Sequence, residues 1–140
     1  MEQRFDAIVI GAGQAGPALA GRLTSAGMSV ALIERKSIGG TCVNTGCTPT
    51  KTLIASAKAA HEARRAGEYG VKIHGAVSID MRAVHARQDA VVGKSRAGLT
   101  GWLQGMAGCT TLQSHARFAG ADSVRVGDQL LKSEIGRAHV

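Results

Sequence analysis

The sequence is short of aromatic residues and of long apolar runs. Its 140 residues include two Phe, one Trp and one Tyr, so few rings are available to stack on nucleic-acid bases. No uncharged apolar run reaches the ~20 residues that a membrane-spanning helix needs. Lys and Arg outnumber Asp and Glu by 17 to 10, but they are spread along predicted helices, as on solvated helix faces. We therefore predict no nucleic-acid partner and no membrane partner.

Cysteine is also scarce, at three residues. The N-terminal apolar stretch could be mistaken for a signal peptide, but Asp6 and ordered glycines argue against export. We therefore predict a cytoplasmic protein. In that reducing compartment three cysteines do not form a structural framework, so an oxidised pair would be catalytic or redox-sensing. The length and the 44% hydrophobic content are typical of one globular domain.

The hydrophobic pattern near the N-terminus predicts a βαβ unit. Residues 5–10 (FDAIVI) form a β-branched apolar run, as in a buried parallel strand. Residues 14–26 carry Ala, Leu and Arg at helical spacing and stop at Gly27, a plausible helix C-cap. Residues 30–33 form a second apolar run, closed by Glu34.

Two further helices are predicted in the middle of the chain. Pro49 favours a first helical turn, and the helical pattern continues over residues 51–66. Another helix begins after Asp80, a good N-cap. Its glycines each cost up to ~1 kcal/mol, so we predict that this helix is interrupted. Those glycines are at positions 93, 98, 101 and 105.

The last third of the chain predicts strands. Residues 110–118 and 123–131 alternate apolar and polar side chains, and Gly127-Asp128 is a hairpin turn. Together with the βαβ unit, these strands predict an α/β fold, in which a Rossmann-like parallel sheet with helices is joined to a β-meander.

A glycine-rich loop follows the first strand and opens the first helix. It has the spacing G-x-G-x-x-G, and Glu34 ends the next strand, as in dinucleotide-binding folds. Glycines permit the tight turn and let the backbone approach a pyrophosphate, and Glu34 would accept hydrogen bonds from a ribose. The alternative is a glycine turn that merely packs. The loop residues that we predict to bind the cofactor are Gly11, Gly13, Gln14, Ala15 and Gly16.

Two cysteines, Cys42 and Cys47, lie in the run GGTCVNTGCTPTK. A structural disulfide that closes so short a loop would stabilise the fold by only ~2 kcal/mol, against ~4.7 kcal/mol for a loop of a hundred residues. Zinc normally needs four ligands, and the chain has no second such pair, with His61 the nearest stray candidate. We therefore predict no metal site and favour a redox pair.

A redox pair at this spacing requires irregular backbone. Residues five apart in a regular helix are separated by a ~7.5 Å rise, whereas a disulfide needs Cα atoms within ~6.8 Å. Gly46 provides for such a departure, and a helix start near Pro49 leaves Cys47 where a thiolate is stabilised. The third cysteine, Cys109, lies in a predicted strand, and we interpret it as a small buried hydrophobe.

With both motifs in hand, the chain resembles the N-terminal part of a pyridine nucleotide-disulfide oxidoreductase, the family of glutathione reductase, dihydrolipoamide dehydrogenase and mercuric reductase. Residues 39–51 match the family's G-G-T-C-x-N-x-G-C-x-P-x-K in every fixed position, and similarity extends over residues 4–133. Details are more similar to the mercuric reductase-like branch. Thr48 departs from the family's usual aliphatic residue, which puts the polarity of the flavin pocket in question.

The resemblance implies an FAD enzyme in which NAD(P)H reduces the flavin and the flavin reduces the disulfide. It makes Cys47 the flavin-facing, charge-transfer thiolate and Cys42 the interchange thiol that attacks substrate. Lys51 would stabilise the reduced flavin; the alternative is a solvated helix lysine. The substrate would be a small-molecule disulfide or an Hg(II)-type species, and the full-length protein a homodimer. Further cofactor contacts are assigned to Gly40, Thr41 and, through its backbone, Ala116.

The same resemblance implies that much of the enzyme lies beyond these residues. We expect residues 1–134 to be the N-terminal part of an incomplete FAD-binding domain that is inactive alone. None of His61, His74, His85 or His115 matches the family's catalytic base. Alternatives are a nucleotide-binding protein whose cysteines only sense or modulate redox state, or a non-catalytic nucleotide-binding module.

The final residues, 135–140, read Ile-Gly-Arg-Ala-His-Val. The DNA ATCGGAAGAGCACACGTC, which resembles a common sequencing-library adapter, encodes that peptide. We therefore expect 135–140 to be an adapter-derived tail; the alternative is a natural C-terminus.

Overall fold

A four-stranded parallel sheet forms the middle layer of the protein. The structure, a computed structural model, describes residues 2–133 and the backbone of 137–139. Strand order is β4-β3-β2-β8, and every neighbouring pair is parallel. The predicted tail falls partly outside the description, since 135, 136 and 140 are not described. The strands are β2 (Ala7–Ile10), β3 (Val30–Glu34), β4 (Cys109–Gln113) and β8 (Arg137–His139).

A second sheet lies on one face of the first. Its order is β1-β7-β6-β5, in which β1 pairs parallel with β7 and the other pairs are antiparallel. The predicted hairpin turn at Gly127-Asp128 is confirmed, and Gly127 has a φ of 57°, which favours glycine. The strands are β1 (Glu2–Arg4), β5 (Ala116–Phe118), β6 (Ser123–Val126) and β7 (Gln129–Lys132).

Two stretches that we predicted as single strands are divided between the sheets. In the stretch 5–10, the Phe5 N–H donates to Lys132 O at 3.0 Å beside β7, whereas the Asp6 N–H donates to Ser29 O at 3.0 Å, next to β3. The stretch 110–118 is broken between β4 and β5. Alternation of side chains does not show which sheet a residue joins, so neither crossing could be predicted from the sequence pattern.

Helices cover the other face of the parallel sheet. The predicted α1 is confirmed to within a residue at each end, and α3 begins at Cys47, with Pro49 in its first turn. A short 3₁₀ turn, Ala66–Tyr69, follows α3. The helices are α1 (Ala15–Ser25), α2 (Gly40–Asn44), α3 (Cys47–Arg65) and α4 (Met81–Gln104).

The predicted interruption of α4 is wrong, because α4 is one helix of 24 residues. Its N-cap is confirmed, since the Asp80 side chain accepts hydrogen bonds from two backbone N–H groups. Val92 and Leu103 are buried, and burying such side chains contributes about 1.5–3 kcal/mol each. That burial offsets the glycine cost of about 1 kcal/mol per residue.

Alternate residues of β2 and β3 supply two hydrophobic clusters, one on each face of the parallel sheet. The cluster under the helices includes Val9, Leu32 and Leu103. The cluster under the second sheet includes Ile8, Ile33 and Leu131. Because both faces of the sheet are covered, β2 and the apolar run of β3 have no alternating polar positions, as the sequence indicated. The carboxyl ends of β2 and β3 are thereby fixed, and the loops that follow them form the site.

Candidate functional site

The glycine-rich loop turns directly after β2 and packs against the start of α1. Gly11 has a φ of 107°, a conformation that side chains other than glycine rarely adopt. A Cβ on Gly16 would lie 2.0 Å from the Gly11 carbonyl oxygen, whereas a Cβ on Gly13 would meet nothing within 4 Å. Gly11 and Gly16 therefore shape the turn, and Gly13 leaves space open above it.

The N-terminus of α1 follows directly after Gly13 and has no side-chain cap. Its N-cap residue, Gln14, makes no side-chain hydrogen bond to the first turn, and the first helical residue, Ala15, is exposed. The first N–H groups of a helix lack intrahelical partners and carry the positive end of its dipole. Together with the space over Gly13, this arrangement fits a pyrophosphate.

Glu34 is held at the end of β3 by two backbone donors. Its Oε2 accepts from the Ala12 N–H at 2.8 Å and its Oε1 from the Lys36 N–H at 2.7 Å. Each carboxylate oxygen has a second lone-pair direction, so Glu34 can still accept hydrogen bonds from a ribose. The bond to Ala12 ties the acidic residue to the glycine-rich loop, a link that sequence spacing did not reveal.

An open cleft of about 740 Å³ runs along these loops. Six of the predicted cofactor residues line it: Gly11, Gly13, Glu34, Gly40, Thr41 and Ala116. Sequence reasoning missed several others, including Ser37, Asn44, Ser114, His115 and Phe118. Asn44 could have been identified from the sequence, because it occupies a fixed position of the matched motif. Of the remaining predicted residues, Gln14, Ala15, Gly16 and Lys51 do not line this cleft.

The cysteine-bearing segment is packed against the glycine-rich loop. A Cβ on Gly40 would lie 2.7 Å from the Gly13 Cα, so glycine is needed where the two segments meet. The Gly39 N–H also donates to the Ala12 carbonyl at 2.7 Å. Gly39 and Gly40 both have positive φ, at 101° and 58°. The contact fixes the cysteines relative to the dinucleotide-binding loop.

The backbone between the cysteines departs from helical geometry, as the spacing required. Cys42 lies in α2, Cys47 is the first residue of α3, and Gly46 between them has φ −116° and ψ −109°. Both thiols are free in the structure, and they lie close enough to affect each other's ionisation. Cys42 is half-buried and Cys47 is exposed. The two cysteines therefore lie on either side of an irregular turn.

Interactions within the pair shift the ionisation of Cys42. The hydrogen bond with the Cys47 thiol, the largest cause, raises the pKa of Cys42 above its ordinary value, and partial burial and the nearby Cys47 charge add to this effect. The Cys47 backbone N–H and the positive charge of Lys51 act in the opposite direction. Cys42 in the dithiol therefore keeps its proton to higher pH than a free cysteine.

Removing the Cys47 thiol is expected to lower the pKa of Cys42. Cys47→Ala deletes the hydrogen bond and the charge that raise it, while Lys51 and the backbone N–H remain. The rate of Cys42 alkylation, followed against pH in a Cys109→Ala background, should then rise at lower pH than in the Cys109→Ala protein alone. An unchanged or upward-shifted profile would contradict the assignment of the thiol hydrogen bond.

The remaining candidate side chains lie apart from the dithiol or at its edge. Lys51 is exposed, one helical turn after Cys47. Cys109 is half-buried against the helix-side cluster, and burial raises its pKa. In the described ranges no group of three His, Cys, Asp or Glu side chains is placed to hold a metal ion. No helix there is long and apolar enough to cross a bilayer.

Comparison with known proteins gives two kinds of match. Residues 5–132 match the family model described as pyridine nucleotide-disulphide oxidoreductase. The dihydrolipoyl dehydrogenase of Chlamydia muridarum is 44% identical over 104 residues, which are 74% of this chain and 22% of that protein. The dihydrolipoyl dehydrogenase of Acholeplasma laidlawii is 31% identical over 134 residues, 96% of this chain and 40% of that protein.

Solved structures show the same likeness. The Cu(II) complex of the HOCl-induced flavoprotein disulfide reductase RclA from Escherichia coli superposes with a TM-score of 0.78 at 30% identity, covering 99% of this chain and 28% of that chain. RclA in another structure gives a TM-score of 0.76 at 31% identity, covering 96% and 27%. The chain thus spans well under half the length of the proteins that it matches.

Proposed function

Because the chain belongs to the pyridine nucleotide-disulphide oxidoreductase family, we propose that it forms part of an enzyme that carries electrons from NAD(P)H through FAD to a Cys42/Cys47 disulfide. Members of this family are enzymes that use FAD and NAD(P)H, and the α/β architecture matches their Rossmann-like FAD-binding domain. The observation that carries the proposal is that the segment bearing Cys42 in α2 and Cys47 at the start of α3 packs on the dinucleotide-binding loop, where Gly40 meets Gly13.

The cleft and the residues beside it offer partners for each part of the dinucleotide. Gly13 and the first N–H groups of α1 would hold the pyrophosphate, and Glu34 would hold a ribose. Thr41 and Ala116 would contact the phosphates and the adenine, and Lys51 would approach the flavin ring. When bound, FAD supplies the transfer of two electrons between the nicotinamide and the cysteine pair.

Thiol–disulfide exchange describes what the cysteines do with those electrons. The Cys42 thiolate attacks one sulfur of the substrate disulfide, a Cys42–substrate bond forms, and the other half leaves as a thiolate. The Cys47 thiolate then attacks Cys42 Sγ, which releases the second substrate thiolate and closes the Cys42–Cys47 disulfide. The substrate has gained two electrons and the pair has lost two.

A disulfide is the substrate class that the relatives favour, because they include a disulfide reductase. A small-molecule disulfide in particular, and an Hg(II)-type substrate, are supported by the motif resemblance alone. We also propose that residues 1–134 belong to a longer polypeptide, that this polypeptide is a cytoplasmic homodimer, and that residues 135–140 are adapter-derived. Sequencing the genomic locus tests the last point, since an in-frame stop codon after Val140 would refute it.

Reductive titration of the complete gene product tests the electron relay. A flavin and a redox-active disulfide together accept four electrons per subunit, so we expect four-electron uptake with dithionite. The Cys42→Ser/Cys47→Ser double variant should take up only two. Two-electron uptake by the unmodified protein would defeat the relay and favour cysteines that only modulate the flavin. Absence of flavin absorbance would favour a non-catalytic nucleotide-binding module.

A further inference from the structure

Two side chains of α4 donate hydrogen bonds to the segment that carries the two cysteines. Arg96 Nε donates to Asn44 Oδ1 at 2.8 Å, and Gln88 Nε2 donates to the Pro49 carbonyl at 3.1 Å. Asn44 lies between the cysteines in the chain, and Pro49 lies in the first turn of α3 just after Cys47. Two polar side chains of one helix therefore hold the dithiol segment on both sides of Cys47.

Asn44 in turn donates hydrogen bonds to the start of α2 and to the turn before it. Its Nδ2 donates to the Gly40 carbonyl at 2.9 Å and to the Ile38 carbonyl at 3.1 Å. Arg96 is only a donor, so the Asn44 oxygen must face it and the amide nitrogen must face the carbonyls. One guanidinium thus fixes the orientation of the amide that ties α2 to the turn preceding it. Hydrogen bonds from a charged donor are stronger than neutral ones.

We propose that Arg96 is a positioning residue that stabilises the Cys42–Cys47 disulfide by acting through Asn44. The inference rests on the proposed function of the pair. Two thiols held close together on one short segment have a high effective concentration toward each other, which favours closure of the disulfide. Without Arg96 the Asn44 amide keeps only its bonds to the Gly40 and Ile38 carbonyls, the loop between the sulfurs gains freedom, and closing the disulfide costs more conformational entropy.

Redox equilibration with glutathione measures this effect directly. The complete gene product is incubated at a series of reduced-to-oxidised glutathione ratios, then acid-quenched and alkylated. Mass spectrometry of the peptide that contains Cys42 and Cys47 then gives the fraction of protein in the dithiol form at each ratio. Arg96→Ala should shift the equilibrium about tenfold toward the dithiol, which corresponds to a potential higher by about 30 mV. Lys94→Ala is the matched control, because Lys94 is exposed on the same helix, and its potential should equal that of the parent.

A double-mutant cycle separates positioning from general weakening of the fold. Asn44→Ala should shift the equilibrium at least as far as Arg96→Ala, because it also removes the hydrogen bonds to Gly40 and Ile38. The double variant should shift it no further than Asn44→Ala, because Arg96 acts through Asn44. Arg96→Lys, which keeps a donor, should restore part of the effect. Equal potentials for the parent and Arg96→Ala, or additive single shifts, would overturn the inference and leave the proposed function intact. A parent protein that forms no disulfide at any ratio would overturn both.

Discussion

Replacing either Cys42 or Cys47 with serine is expected to reduce turnover of a disulfide substrate by about a thousandfold or more, as removal of a covalent catalyst does. A serine hydroxyl keeps nearly the size of the thiol, so the fold is preserved. It does not ionise at neutral pH and forms no disulfide. Steady-state reduction of a small disulfide by NAD(P)H, measured with the complete gene product, gives the loss directly.

The two variants should fail at different steps, which assigns the roles. With Cys47→Ser, Cys42 can still attack the substrate, so one thiol is released per subunit and a Cys42 mixed disulfide accumulates. With Cys42→Ser, Cys47 should not accumulate that adduct, because the bound flavin that it is proposed to face would shield it from substrate. Intact-mass spectrometry distinguishes the two. Cys109→Ala is the control, because Cys109 lies in β4 against the helix-side cluster, and its turnover should match the parent. Turnover of either serine variant within tenfold of the parent would sink the relay.

Alanine substitutions at Gly16 and Gly13 are expected to affect different properties. The first should lower stability, and the second should lower FAD affinity. Gly16→Ala places a methyl group 2.0 Å from the Gly11 carbonyl oxygen, a backbone atom that cannot move without displacing α1. We expect a loss of about 3 kcal/mol in the free energy of unfolding, which lowers Tm by roughly 10 °C. Thermal unfolding followed by circular dichroism measures both.

Gly13→Ala should instead leave stability within about 1 kcal/mol, because its methyl group would meet no protein atom within 4 Å. That methyl would occupy the space over the uncapped end of α1, and we expect FAD affinity to fall by at least about tenfold. Flavin content after purification and gel filtration reports the loss. Gly93→Ala, in open space on α4, is the matched control and should gain up to about 1 kcal/mol with unchanged flavin content. Normal flavin binding by Gly13→Ala would remove Gly13 from the proposed pyrophosphate site.

The local geometry of the site could be predicted from sequence because it is encoded locally. The glycine spacing, Glu34 at the end of a strand, and the requirement for an irregular turn between Cys42 and Cys47 depend on neighbours within a short stretch of chain. Steric limits on backbone angles and on disulfide geometry apply there whatever the rest of the molecule does. The same is true of the hairpin at Gly127, where the turn residues carry the signal.

Other features depended on partners far away in the chain. The crossing between sheets at Phe5 and Asp6 was missed because period-two alternation is the same in either sheet. The continuity of α4 was missed because the glycine cost is local, whereas the burial of Leu103 that offsets it is tertiary. The contact of Arg96 with Asn44 joins residues that are 52 positions apart in the chain, and neither their residue types nor their spacing predicts it.

By itself, then, the amino-acid sequence determined the βαβ unit, the glycine-rich turn and the cysteine spacing, since each follows from steric rules acting between near neighbours. Only the tertiary structure decided that Gly13 and Gly40 meet, that the Ala12 N–H binds Glu34, and that α4 holds the dithiol segment. Those contacts arise when packing on the two faces of the parallel sheet brings distant segments together, and such burial is non-directional, so no short sequence pattern records it.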